Sequence, residues 1–172
     1  MPWIQHTFGP DVSGGHVPVF AALVHDPSHN SGESYDGEGL ALDPFVEAVK
    51  SAIAESEGTT LVVSSADLSH VGPLFGDQQQ ISADEEDEES KAFRDKVVQH
   101  DQEMLQLVLQ GKAPELVSTL AWQQNPTRWC SVGNMVATMM LTDAQSVRML
   151  SYAGAGDPST GSMVTSFAGV IE

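Results

Sequence analysis

The chain has little positive charge and almost no cysteine. Seven Lys and Arg stand against 24 Asp and Glu in 172 residues, a formal charge of −17. Such a surface repels nucleic-acid phosphates and the anionic headgroups of the cytoplasmic leaflet, so neither nucleic acid nor membrane is expected as a partner. The single cysteine, Cys130, excludes an intrachain disulfide, and no basic, apolar, small-residue leader opens the sequence. A cytoplasmic protein is the expectation. Uncharged stretches such as 129–142 fall short of the roughly 18 apolar residues that a bilayer span needs. A Gly-rich phosphate loop, a Cys-x-x-Cys pair and a Gly-x-Ser-x-Gly elbow are all absent, which argues against nucleotide binding and elbow-type serine hydrolysis.

What remains is an acidic chain of single-domain length with strand and helix patterns in alternation. Residues 17–24 form a short apolar run behind Gly14, Gly15 and Pro18 and read as a buried strand; the polar stretch 25–39 reads as a loop. Asp43 and Pro44 suit the cap and first turn of a helix reaching about Ser56, with Phe45, Val46, Val49 and Ile53 on its apolar face. Residues 59–64, with Leu61, Val62 and Val63 in succession, have the pattern of an interior strand. The acidic run 84–89 reads as a solvated loop or the start of a helix, whose apolar positions recur from Phe93 to Leu109 and end before Gly111. Pro114 opens a short helix to Leu120, and another helix is expected over 131–141. Residues 147–152 and 163–171 read as closing strands around the turn-rich segment 154–161. The predicted class is α/β, a mixed sheet flanked by helices. At the start, Pro2, Trp3 and Ile4 look helical with no lead-in, as though the chain begins inside an element and an upstream segment is missing.

Two constellations could carry chemistry. Asp67 and His70 follow the interior-strand pattern, where ligands collect in open α/β sheets. Three residues apart on a helical turn, they would share a face, an oriented general base or a metal ligand with its carboxylate partner. The alternative is a capping Asp67 and a His70 satisfied by a core carbonyl. The second constellation is Asn125-Pro126-Thr127-Arg128-Trp129-Cys130-Ser131-Val132-Gly133-Asn134, with its cysteine at the start of an apolar helix. A thiol at a helix N-terminus beside an arginine suits metal binding or attack on electrophiles, whereas a lone cysteine there can equally be a small buried hydrophobe. Arg128 and Trp129 are candidates for contacting a ligand. His25 and His29 flank a proline loop and are not expected to bind metal; His6, His16 and His100 show no partner pattern. Asp101 sits among apolar helix positions, where a buried acid would need partners.

The order of these motifs is more specific than any one of them. Leu61-Val62-Val63-Ser64-Ser65-Ala66-Asp67-Leu68-Ser69-His70, the helix with Asp101, Trp129-Cys130-Ser131-Val132-Gly133, and Leu150-Ser151-Tyr152-Ala153-Gly154-Ala155-Gly156-Asp157 with Ser166-Phe167-Ala168-Gly169 resemble the Memo family. That family is the protein B component of the AmmeMemoRadiSam grouping, similar in fold to class III extradiol dioxygenases. The resemblance extends to Pro2-Trp3-Ile4. It implies that residues 1–172 are a single Memo-like domain corresponding to the carboxyl-terminal part of that fold. It also implies that Cys130 and His70 line a metal pocket for iron (Fe²⁺) or copper, with Asp67 beside His70 and both in catalytic positions for proton transfer. The family's two amino-terminal metal histidines have no counterpart in this sequence, and Ala66 stands where many members run directly from Ser-Ser to Asp. With at most three donors, the expected metal affinity is weak.

The leading expectation is therefore a Memo-like protein with a dioxygenase-like pocket, a weak or incomplete metal site and an undefined reaction. One alternative is a non-enzymatic module binding a peptide or small molecule through Arg128, Trp129 and His70. Another is an extradiol-type dioxygenase once the missing segment completes the site. A hydrolase using Cys130 or Ser69 with His70 is a further reading. A homodimer or partner chain is expected to cover the missing half.

Overall fold

The computed structural model describes every residue except Met1, Tyr35, Ala83 and Glu85. Met1 of the amino-terminal motif, Tyr35 of the polar loop and Glu85 of the acidic run therefore lie outside the described residues. The described elements run α1 (Pro2–Phe8), α2 (Leu42–Glu55), β1 (Asp67–Val71), α3 (Glu88–Leu109), α4 (Ala113–Gln123), α5 (Val132–Leu141), β2 (Val147–Asp157) and β3 (Ser162–Ile171), with short 3₁₀ turns at Asn30–Gly32 and Pro73–Phe75. Helices and sheet are combined in one α/β structure. The sheet has the order β1-β3-β2, and both pairings are antiparallel.

The helices form largely where their signals lie. Asp87 accepts a hydrogen bond from the Ser90 amide and starts α3, with Glu88 and Glu89 in the first turn, where carboxylates complement the helix dipole. One face of α3 buries Val97, Asp101, Met104, Leu105 and Val108. Gly111 follows at φ 67°, and a Cβ there would lie 2.5 Å from the Ala144 carbonyl oxygen, so the α3–α4 turn takes only glycine without rearrangement. Helix α2 departs from expectation at its start: Ala41 is the cap residue and Asp43 lies inside the first turn. Only Val46 of its apolar face is fully buried.

Two expected strands do not form. Residues 59–66 form no regular element and join no ladder, and Leu61 and Val63 stay exposed at 67% and 61%. Exposed and half-buried residues still alternate from Leu61 to Ala66, so the local pattern there is that of a strand. Hydrogen bonding starts only at Asp67, opposite Ser166 of β3. Residues 17–24 are likewise unpaired, with Phe20 and Leu23 exposed. In both cases a neighbouring backbone is missing among the described residues, and an apolar run without a ladder partner does not become a strand.

The closing hairpin forms as expected, with one change of boundary. Strand β2 continues through Gly154 and Gly156 to Asp157, because β3 pairs with it residue by residue as far as Ser162. The turn proper is confined to residues 158–161. The main core gathers Leu68, Met104, Leu105, Val108, Leu116, Leu120, Trp129, Val132, Met135, Val136, Met139 and Val147 between the sheet and α3, α4 and α5. Val71, Ile81, Val97 and Met163 form a smaller cluster beside it. No helix among the described residues is long and apolar enough to cross a membrane.

Candidate metal centre

Asp67 and His70 lie on β1, a strand and not the helical turn expected for them. A regular strand would send residues three apart to opposite faces. Here Asp67 pairs with Ser166 and His70 with Val164, so three steps on β1 match two on β3. This extra residue is a bulge, and it turns both Leu68 and Ser69 into the core. Asp67 and His70 consequently emerge together, with His70 Nε2 3.7 Å from Asp67 Oδ2.

Cys130 arrives on the segment between α4 and α5. Its path is bent through left-handed backbone at Gln124, Asn125 and Arg128. The Asn125 side chain brackets Trp129, accepting from its amide at 2.8 Å and donating to its carbonyl at 2.9 Å. The same segment then runs beside β1: the His70 amide donates to the Thr127 carbonyl at 2.8 Å and Arg128 Nε donates to the His70 carbonyl at 2.9 Å. The Asp67 amide donates to Ser131 Oγ at 3.1 Å. These bonds bring Cys130 Sγ to 4.0 Å from His70 Nε2 across a sequence separation of 60.

The imidazole is oriented from below. Its Nδ1 lies 3.1 Å from the Leu68 carbonyl oxygen, which can only accept, so Nδ1 carries the proton and the Nε2 lone pair faces outward. Phe75 meets the ring edge-on at 5.1 Å. One donor atom from each of Asp67, His70 and Cys130 lies within 4.8 Å of the others. Tetrahedral coordination with bonds of about 2.0–2.3 Å separates donor atoms by roughly 3.3–3.8 Å. The three residues therefore fit a metal ion after a shift of about 1 Å at the widest pair. Sulfur, imidazole nitrogen and carboxylate oxygen together suit a borderline transition metal.

The same geometry disfavours a hydrolase. A nucleophile–histidine–acid relay uses both ring nitrogens, one for the nucleophile and one for the acid. Here Cys130 and Asp67 both approach Nε2, while Nδ1 is taken by a carbonyl. Ser69 is fully buried and donates to Asp101 at 2.5 Å, so it presents no free hydroxyl.

Arg128 and Trp129, expected side by side on a ligand, have other roles. The Arg128 guanidinium pairs with Asp77, whose carboxylate also accepts from the Gly72 amide. Trp129 is 1% exposed, with its indole N–H donating to Asp101 Oδ1 at 2.7 Å. Two surface clefts of about 320 and 300 Å³ are lined by other residues, the first around Leu23, Leu40 and Phe45 and the second around Ile81, Arg94 and Met163. Of the remaining histidines, His25 Nε2 lies 2.8 Å from the Gly32 carbonyl oxygen, and His29 is half-exposed, 3.6 Å from Asp26.

Asp101 does have the partners a buried acid needs. Besides Ser69 and Trp129 on Oδ1, Oδ2 accepts from Tyr152 Oη and Thr165 Oγ1, both at 2.6 Å. Burial, then the hydrogen bond to Asp101, push the Tyr152 hydroxyl well above its usual range. Of the supports of Cys130, Asn125 and Ser131 lie in the constellation that the sequence singles out, without a role assigned to them there, and Asp77 escaped sequence reasoning.

A family model for Memo-like proteins matches residues 41–171, a span holding Asp67, His70, Asp101 and Cys130. No curated protein and no solved structure gives a significant match. With the motifs in order and three-quarters of the sequence inside one family model, this chain belongs to the Memo-like protein family.

Proposed function

We propose that this Memo-like chain binds a transition-metal ion, iron or copper, through Cys130 Sγ, His70 Nε2 and the Asp67 carboxylate, in a site open to a small-molecule ligand. The observation supporting this is the convergence of three different donors on one point, with the histidine tautomer already set for coordination. Three donors leave coordination positions free for an exogenous ligand, and the exposure of Asp67 and Cys130 makes the site accessible and weak. A bound iron or copper ion would supply Lewis-acid and one-electron chemistry. His70, held by the Leu68 carbonyl, keeps a fixed lone pair. Asp67 can leave the cluster to accept a proton from an incoming ligand, because its backbone is anchored through Ser131 independently of its carboxylate.

The test is anaerobic calorimetric titration with Fe²⁺ and, separately, Cu²⁺. Cys130→Ala and His70→Ala are each expected to weaken binding at least about tenfold, and Asp67→Ala less. Unchanged binding in the first two variants would sink the proposal. Offering a catechol to the iron-loaded protein at an oxygen electrode separates the two roles of such a site. Oxygen uptake abolished by His70→Ala would make the chain a dioxygenase, and saturable binding without uptake would make it a binding module.

A further inference from the structure

The buried carboxylate of Asp101 divides its bonds by destination. Oδ1 accepts from Ser69 Oγ at 2.5 Å and from Trp129 Nε1 at 2.7 Å, the residues immediately before His70 and Cys130. Oδ2 accepts from Tyr152 on β2 and Thr165 on β3, both at 2.6 Å. Thr165 Oγ1 in turn accepts from the Ser69 amide at 2.9 Å, at the bulge that turns His70 outward. Asp101 is 0% exposed, and all four donors reach it from elements other than α3. A carboxylate with both oxygens doubly engaged has no lone pair left for rearrangement, so the groups around it are held to one geometry.

We propose that Asp101 is a positioning residue for the site: through Oδ1 it grips the side chains that precede His70 and Cys130 and so sets the separation of the two donor atoms. The inference deepens the metal-site reading and rests on it. It differs from a purely structural role in one respect. Removing a bond to Oδ1 must disturb the site, and removing the Tyr152 bond to Oδ2, which has no link to β1 of the kind Thr165 has, must not, although each deletion takes one hydrogen bond from the same carboxylate.

The experiment compares Ser69→Ala with Tyr152→Phe, and adds Trp129→Phe as a second Oδ1 variant should Ser69→Ala not fold. The first readout needs no metal: the nuclear Overhauser contact between the Cys130 β-protons and His70 Hε1. It is expected to persist in the parent protein and Tyr152→Phe, and to weaken in Ser69→Ala and Trp129→Phe. The second readout is Co²⁺ affinity, followed by the thiolate-to-metal absorption band. It should fall about tenfold in the Oδ1 variants and stay within about twofold in Tyr152→Phe. Equal behaviour of the two classes, or no Cys130–His70 contact in the parent protein, overturns the proposal. If the parent protein shows no thiolate band with Co²⁺, the metal-site reading fails, and the metal-free contact still decides the positioning role.

Discussion

Two apolar segments of similar composition end differently. Residues 163–171 become β3, the central strand of the sheet, while 59–66 stay unpaired with Leu61 and Val63 in solvent. The difference is not in their periodicity, since more and less buried residues alternate over 61–66 and over 163–168 alike. It lies in their neighbours: β3 has a backbone on each side, and 59–66 has none until Asp67 reaches Ser166. Strand pattern is a capacity to pair, and the ladder decides whether that capacity is used. The candidate metal site lies where the unpaired segment becomes the paired one.

The comparison can be broken most severely on its paired side. Asp101→Ala removes the acceptor of four donors, three of them buried, and should lower unfolding free energy by about 3 kcal/mol or more, read from urea denaturation. A loss below about 1 kcal/mol would mean that water or rearranged partners satisfy those donors. A contact of the core with the other unpaired stretch, 17–24, is the next target. Gly133 opens α5 beneath the end of the unpaired stretch 17–24, and a Cβ there would lie 2.0 Å from the His25 carbonyl oxygen. Gly133→Ala should destabilise by about 1–3 kcal/mol and increase amide exchange at residues 24–26; unchanged exchange would show that this contact is dispensable.

On the unpaired side, Leu61→Ser and Phe20→Ser should each change stability by no more than about 0.5 kcal/mol, because both side chains are already solvated. A loss several times larger would show that these residues are covered in solution, and would erase the contrast.

The smallest effect sharpens the paired side through pH. Burial pushes the His100 imidazole below its ordinary range, against the opposing pull of Asp101 and Glu103. Its ring meets Trp129 edge-on at 6.5 Å, and its Nε2 is buried without a hydrogen-bond partner among the described residues. As pH falls through the unfolded-state value of about 6.5, the unfolded chain takes up the proton first, so His100 stabilises the fold above that pH and loses its contribution below it. In His100→Gln, the drop in melting temperature between pH 7.5 and 5.5 should be smaller than in the parent protein. An identical drop would assign the pH dependence to other groups.

Much of the site was legible as residue types. Asp67, His70 and Cys130 stand out because a carboxylate, an imidazole and a thiol occur beside strand and helix boundaries, and Asp101 stands out as an acid among apolar helix positions. The Arg128-Trp129 pair is split by the fold for a physical reason. Neighbours in a left-handed turn point in different directions, one toward Asp77 and the other into the core. Helix α3, with its acidic start and glycine stop, could be drawn from local signals, whereas the extension of β2 through two glycines could not, because β3 imposes it.

By itself, then, the sequence determined the donor types, the helices, the closing hairpin and the family to which the chain belongs. These depend on residue identity, short-range periodicity and the order of motifs. Tertiary structure alone decided the bulge that puts Asp67 and His70 on one face, the approach of Cys130 across 60 residues, and which apolar runs became strands. Each of these depends on a backbone hydrogen-bond partner distant in sequence, and no local pattern encodes where that partner will lie.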